Sequence, residues 1–139
     1  MPAMPAMPFL STLLTLDATA RLRLRAVALA LFAGVVIAGS IPGARASVGV
    51  WVTGLVLHGC TYGFLTALWY LGSAGGAAAR AAKAVLAIAL MGAFDELVQS
   101  FLPYRSGDIR DWLIDITAAL LASGVLAVCT LKAAPARLP

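Results

Sequence analysis

Five of the six acidic residues in the chain lie between positions 95 and 115, as Asp95, Glu96, Asp108, Asp111 and Asp115, with Arg105 and Arg110 set among them. Carboxylates this close together can pair with a guanidinium, shuttle protons as general acid and base, or hold a cation. Glu96 and Gln99 are three apart and share one face of a helix, whereas Asp95 is rotated from Glu96 by about 100°. One of the two adjacent acids can face an interior squarely, and the expectation is Glu96. Asp108, Asp111 and Asp115 are spaced three and four apart and form one stripe of a helix beginning near Asp108, which makes Asp108 a candidate N-cap. Asp95, Asp108 and Arg110 read as boundary charges that pin a hairpin. Glu96 and Asp115 lie a turn or more inside their helices, where an ionisable group is costly in an apolar setting, and read as internal and functional. Arg105, the nearest basic residue, is expected to pair with Glu96, Asp111 or Asp115. His58, one turn before Tyr62, either hydrogen-bonds to a neighbouring helix or takes part in function. With a single histidine and no recognisable ligand spacing, no metal ligands and no cofactor are assigned. A phosphate-binding glycine loop, a nucleophile elbow and a His-Glu-x-x-His motif are all missing from the sequence, so no catalytic residue is assigned and enzymatic activity stays open.

The elements that must position these residues follow from composition. The chain has 139 residues, 62% of them hydrophobic, with a mean hydropathy of +0.96, which implies one all-α integral membrane domain rather than a water-soluble one. Four apolar segments are expected to cross the bilayer, at 26–40 (extending through Pro42), 48–71, 81–102 and 112–131. Pro42-Gly43, the glycines between 72 and 76, and Pro103 with Ser106-Gly107 separate them, and the short loops make neighbours antiparallel. Residues 1–25 read as a mobile or interfacial segment, with a Met-Pro-Ala repeat and an apolar stretch at 9–16 suited to the membrane interface. Residues 26–132 read as the membrane domain and 133–139 as a tail. Arg21, Arg23 and Arg25, the following apolar run and Ala44-Arg45-Ala46 also fit a cleavable signal peptide, so cleavage at Ala46 stays open. Counting basic residues, Arg21, Arg23, Arg25, Arg80, Lys83, Lys132 and Arg137 fall on one side and Arg45, Arg105 and Arg110 on the other. That count predicts both termini in the cytoplasm and the acidic hairpin at the outer face. The net charge of +4 is dispersed at segment ends, which argues against nucleic-acid binding. Cys60 and Cys129 read as packing residues without a disulfide, and Gly54, Gly59 and Gly63 as sites of close helix approach. Trp51, Trp69, Tyr70, Tyr104 and Trp112 read as an aromatic belt.

The hairpin resembles the VanZ-like family of small bacterial membrane proteins. That family's pattern has a Glu and a Gln three apart, a Pro, an Arg, an Asp six after the Arg, an Asn four further on, and then small residues. Here these are Glu96, Gln99, Pro103, Arg105, Asp111, Asp115, Ala118 and Ala122. Upstream, Pro42 and the His58 to Tyr62 pair fit the family's second block, so the resemblance runs from about residue 25 to the end. The chain departs from the pattern at Asp115, where the family has Asn, at the alanines that replace its glycines, and at Gly54-Leu55, where an Asp-Lys pair is expected. The resemblance implies a four-helix bundle in the cytoplasmic membrane of a bacterium and an envelope-associated role, the family taking its name from a protein of teicoplanin-type glycopeptide resistance. It also implies a functional motif of Glu96, Gln99, Arg105, Asp111 and Asp115, with His58, Tyr62 and Asp108 in secondary roles. The partners expected are membrane lipids and an envelope component or amphiphilic drug, with the oligomeric state open. Two alternatives are an intramembrane enzyme acting on a lipid-linked substrate, with the carboxylates as acid and base and Arg105 on a phosphate or carboxylate, and a small proton-coupled transporter titrating Glu96 or Asp115.

Overall fold

A computed structural model describes residues 12, 15–49 and 52–133 of the chain. The described residues form five helices and no strand: α1 (Ala18–Gly39), α2 (Ala44–Gly49), α3 (Gly54–Leu71), α4 (Ala77–Ser100) and α5 (Ile109–Ala133). Local chemistry sets the boundaries. Asp17 accepts the Ala20 N–H at 2.7 Å and starts α1, so the helix takes in Arg21, Arg23 and Arg25, ahead of the apolar run that was expected to begin it. Gly43, at φ 81°, provides the left-handed residue that turns the chain after Pro42. The expected continuous segment 48–71 is broken instead. The short α2 is described through Gly49, and α3 starts afresh at Gly54 behind Thr53, whose hydroxyl accepts the Val56 N–H.

The α4–α5 pair and the α3–α5 pair make the most extensive contacts, with α1 lying against α3. One end of the bundle gathers the end of α1, the start of α3, the end of α4 and the start of α5. The hydroxyl of Tyr104, in the α4–α5 loop, donates to the Ser40 carbonyl and ties this end together. At the opposite end Tyr70 and Thr130 hydroxyls bond at 2.8 Å, while Arg80 Nε and Lys83 Nζ donate to the carbonyls of Gly75 and Ala74.

The side-chain distribution is inverted relative to a water-soluble bundle. The buried apolar set is Ala28, Tyr62, Leu65, Tyr70, Ala84, Ile88, Met91 and Ala119, and an equally large buried set is polar: His58, Thr66, Ser73, Arg80, Asp95, Gln99, Asp115 and Ser123. Meanwhile Leu55 and Phe64 of α3, Leu86 and Leu90 of α4, and Leu121 and Val125 of α5 face outward. Large apolar side chains outside and hydrogen-bonding groups inside are the arrangement a hydrocarbon surround favours. Among the described residues, two helices, α1 and α5, are long and apolar enough on length and composition alone to cross a membrane. Four were expected to do so. α3 carries His58, Thr61, Tyr62 and Thr66 in its middle turns, and α4 carries Arg80 and Lys83 near one end and Asp95 and Glu96 near the other.

Several packing expectations are revised. A Cβ on Gly59 or Gly63 would meet nothing within 4 Å, and one on Gly54 would meet the flexible end of Arg45, so these glycines do not mark close approach. Gly92 does: its Cβ would lie 2.7 Å from Asp115 Oδ2 and 3.1 Å from Trp112 Cδ1. Trp112 and Tyr70 serve the interior rather than a belt, since Trp112 Nε1 donates to the Ala89 carbonyl at 2.9 Å and Tyr70 is fully buried. Trp51 lies outside the described residues, as do Arg137 and most of the 1–25 and 133–139 segments. Cys60 is exposed and Cys129 half-buried, and both are free thiols.

Candidate functional site

Three helices and one loop bring the polar residues together at the end closed by Tyr104. From α3, His58 and Tyr62 project one turn apart on the same face with their rings stacked, the centroids 5.8 Å apart and 15° from parallel. From α5, Asp111 and Asp115 project toward His58, as their spacing of four requires. His58 Nδ1 lies 2.9 Å from Asp115 Oδ1, and Nε2 lies 3.6 Å from Asp111 Oδ2. With Asp115 ionised, the imidazole donates from Nδ1, which leaves the Nε2 lone pair directed toward Asp111. At 3.6 Å the second approach is too long for a hydrogen bond.

From α4 the inward acid is Asp95, not Glu96. Asp95 is buried and accepts the Tyr62 hydroxyl at 3.0 Å, and it shares its face with buried Gln99, four residues on. Glu96 is half-buried and turned toward the α5 start, where Oε2 accepts the Asp108 N–H at 2.6 Å and Oε1 is buried without a partner. The buried positions Ala84, Ile88, Met91, Asp95 and Gln99 run in steps of three and four, and that register places Asp95 in phase with the core and Glu96 beside it.

Arg105 is the second correction. It does not pair with Glu96, Asp111 or Asp115. Its guanidinium donates instead to Gln99 Oε1 and, at 3.4 Å, to the Gly39 carbonyl at the end of α1. Those two bonds link the α4–α5 loop to the last turns of α4 and α1. Asp108 acts where the N-cap expectation put it: Oδ1 accepts the Arg110 N–H at 2.9 Å and faces Arg110 Nε at 3.2 Å. The Arg110 backbone bond first, and the guanidinium second, hold the Asp108 carboxyl below its ordinary range.

Beside this cluster, between α1, α2, α3 and α4, is a cavity of about 220 Å³. Val35, Ala38, Val48 and Leu57 form its apolar walls, His58, Tyr62, Asp95 and Gln99 its polar lining, and Arg45 and Arg105 reach it as cations. Arg45 belongs to this cavity, although its position in the sequence placed it only among the outer-side charges and in the Ala44-Arg45-Ala46 stretch.

The arrangement can do three things chemically. Arg45 and Arg105 can receive an anionic group whose apolar remainder lies along the aliphatic walls. The Asp115-oriented His58 can take or give a proton at Nε2. Of the side chains present, His58, Glu96 and Asp111 form the one set among the described residues able to converge on a cation, with ligand atoms all within 4.8 Å of one another. Gln99, Arg105, Asp108 and Asp115 lie around that set in positioning or capping contacts, and Tyr62 links it to Asp95.

In comparison with known proteins, no curated protein and no solved structure matches the chain. The model of the VanZ/LLP1 family does match, over residues 50–130, a span that contains α3, α4, most of α5 and every polar residue of the cluster. That match covers more than half of the sequence, and the chain belongs to the VanZ/LLP1 family.

Proposed function

We propose that this VanZ-type protein is a multi-pass protein of the bacterial cytoplasmic membrane that receives the anionic head of an amphiphile in the cavity beside Arg45 and Arg105, and so contributes to tolerance of teicoplanin-type glycopeptides. In this reading α1, α3, α4 and α5 all span. At about 1.5 Å per residue even α3, the shortest of the four, reaches about 27 Å, close to the thickness of the hydrocarbon core. The outward Leu55, Val56 and Phe64 of α3 and Leu86, Leu90, Phe94 and Leu97 of α4 support it. Arg21, Arg25, Arg80, Lys83 and Lys132 gather at one end of the bundle, which favours placing that end and both termini in the cytoplasm and the Arg105 loop outside. The observation that carries the proposal is the cavity: apolar walls and two guanidinium groups around one half-open space match a ligand with a charged head and a hydrocarbon body. A strain producing the wild-type protein should survive a lipoglycopeptide better than one producing Arg45→Gln or Arg105→Gln at equal membrane levels. Equal survival would count against a role in tolerance.

The Asp115–His58 pair favours one second reading. A histidine oriented by a buried carboxylate and bordering the cavity has the parts of a general base, and turnover of a lipid-linked precursor by purified protein would identify an enzyme.

A further inference from the structure

We infer that His58, Glu96 and Asp111 form a binding site for one divalent transition-metal ion of the zinc class, with Asp115 as the residue that orients the histidine. The site would be an addition to the amphiphile cavity, and it holds whatever occupies that cavity. His58 is not a bare ring near acids. Asp115, fully buried, takes Nδ1 at 2.9 Å and thereby presents Nε2, in the carboxylate–histidine arrangement that fixes tautomer and ring direction at metal centres. Nε2 then faces Asp111 Oδ2 across 3.6 Å. That gap is too wide for a hydrogen bond, but metal–ligand bonds of about 2.0 to 2.2 Å set neighbouring ligands of a tetrahedral ion about 3.3 to 3.6 Å apart. Glu96 supplies the third ligand atom, a carboxylate whose Oε2 accepts the Asp108 N–H and whose Oε1 is buried with no partner. All three ligand atoms lie within 4.8 Å of one another, so the widest pair closes by up to about 1.5 Å when an ion of this size is bound.

Charge points the same way. Asp95, Glu96, Asp111 and Asp115 converge on one region, yet among the described residues no lysine or arginine forms an ion pair with any of them. Arg105 donates to Gln99 and the Gly39 carbonyl and to none of these carboxylates. Four carboxylates that share one histidine as their cationic partner are costly in an apolar surround, and a bound dication supplies further positive charge. One imidazole nitrogen with two carboxylate oxygens suits Zn²⁺, Mn²⁺ or Fe²⁺, whereas calcium prefers an all-oxygen shell. Three protein ligands leave a tetrahedral ion one further position, on the side where Asp111 is half-exposed.

The test uses the full chain, purified without a histidine tag, stripped with chelator and dialysed against Zn²⁺ or Co²⁺. One ion per chain is expected by elemental analysis, falling at least tenfold in affinity in His58→Ala, Glu96→Gln and Asp111→Asn and staying unchanged in Thr130→Val. Asp115→Asn should bind about 10- to 100-fold more weakly and, in the Co²⁺-loaded protein, move the paramagnetically shifted imidazole proton. Because His58 is the only histidine, the Co²⁺-loaded wild type should show a single exchangeable, paramagnetically shifted imidazole proton, a readout that needs no variant. Uptake below about 0.1 ion per chain, or bound Co²⁺ without that resonance, would overturn the site. Metal uptake with no amphiphile binding, or the reverse, separates this site from the cavity reading.

Discussion

Replacing Gly92 by alanine probes the contact on which the polar cluster depends. The added methyl would stand 2.7 Å from Asp115 Oδ2, 3.1 Å from Trp112 Cδ1 and 3.3 Å from Asp115 Cβ. None of these neighbours can swing clear: Asp115 is fully buried with its other oxygen on His58, and the Trp112 indole is pinned by its bond to the Ala89 carbonyl. The α4–α5 interface must therefore open by several tenths of an ångström, an overpacking cost of about 1 to 3 kcal/mol. Alanine returns about 1 kcal/mol through its helix propensity, so the net loss is about 0 to 2 kcal/mol. Gly63→Ala, with nothing within 4 Å of its Cβ, receives the propensity gain without a clash and should be neutral or stabilised by up to about 1 kcal/mol. Thermal unfolding of the two variants in the same detergent, followed by tryptophan fluorescence, should separate them by roughly 4 °C per kcal/mol, with Gly92→Ala at or below wild type and Gly63→Ala at or above it. Equal melting of the two variants would refute the close α4–α5 approach at Gly92.

Tyr62→Phe and Asp95→Asn should be non-additive, with a coupling of about 1 to 3 kcal/mol in a double-mutant cycle read by thermal unfolding, because the Tyr62 hydroxyl donates to Asp95 inside the bundle; additive losses would mean that the bond is not made in the membrane. In a chain with Cys60 and Cys129 replaced by alanine, Ser106→Cys should react with an impermeant thiol reagent on intact cells and Ala74→Cys should not, both positions being exposed; the reverse pattern would invert the topology. The folded Asp108 carboxyl titrates below its ordinary value, so its contribution to stability is complete above that value, about 3.9, and disappears as pH falls through the lower folded one. Asp108→Asn should therefore flatten the acid side of the unfolding profile, and an unchanged profile would show that the carboxylate makes no cap in solution.

The family and the all-helical architecture were legible in the sequence because both rest on local signals: apolar runs, the Pro and Gly breakers between them, and the spacing of Glu96, Gln99, Arg105 and Asp111. The spacing of Asp111 and Asp115 likewise announced a shared face, and both meet His58. What was misread depended on neighbours distant in the chain. Whether Asp95 or Glu96 turns inward is decided by how α4 rolls against α3 and α5, and Tyr62 lies 33 residues away from the acid it bonds. Arg105 looked like a partner for carboxylates because charge attracts charge, but the loop that carries it is pinned at Ser40 by Tyr104, which delivers the guanidinium to Gln99 and the Gly39 carbonyl. The break between α2 and α3 was hidden by hydropathy, since residues 48–53 are as apolar as the helix that follows, and the cap at Thr53 decides the start. The close approach at Gly92 was missed for the same reason, as a glycine shows its packing role only when the facing side chain is known.

The central claim, that Arg45 and Arg105 receive an anionic amphiphile in the cavity beside His58 and Tyr62, is tested most directly by equilibrium titration of a fluorescent teicoplanin-type lipoglycopeptide onto purified protein in lipid nanodiscs. Wild type should bind saturably at one site per chain. Losing a charged contact of about 1.5 to 3 kcal/mol should weaken binding about 10- to 100-fold in Arg105→Gln and in Arg45→Gln. Wild type that binds no better than empty nanodiscs, or variants that bind as tightly as wild type, would contradict it.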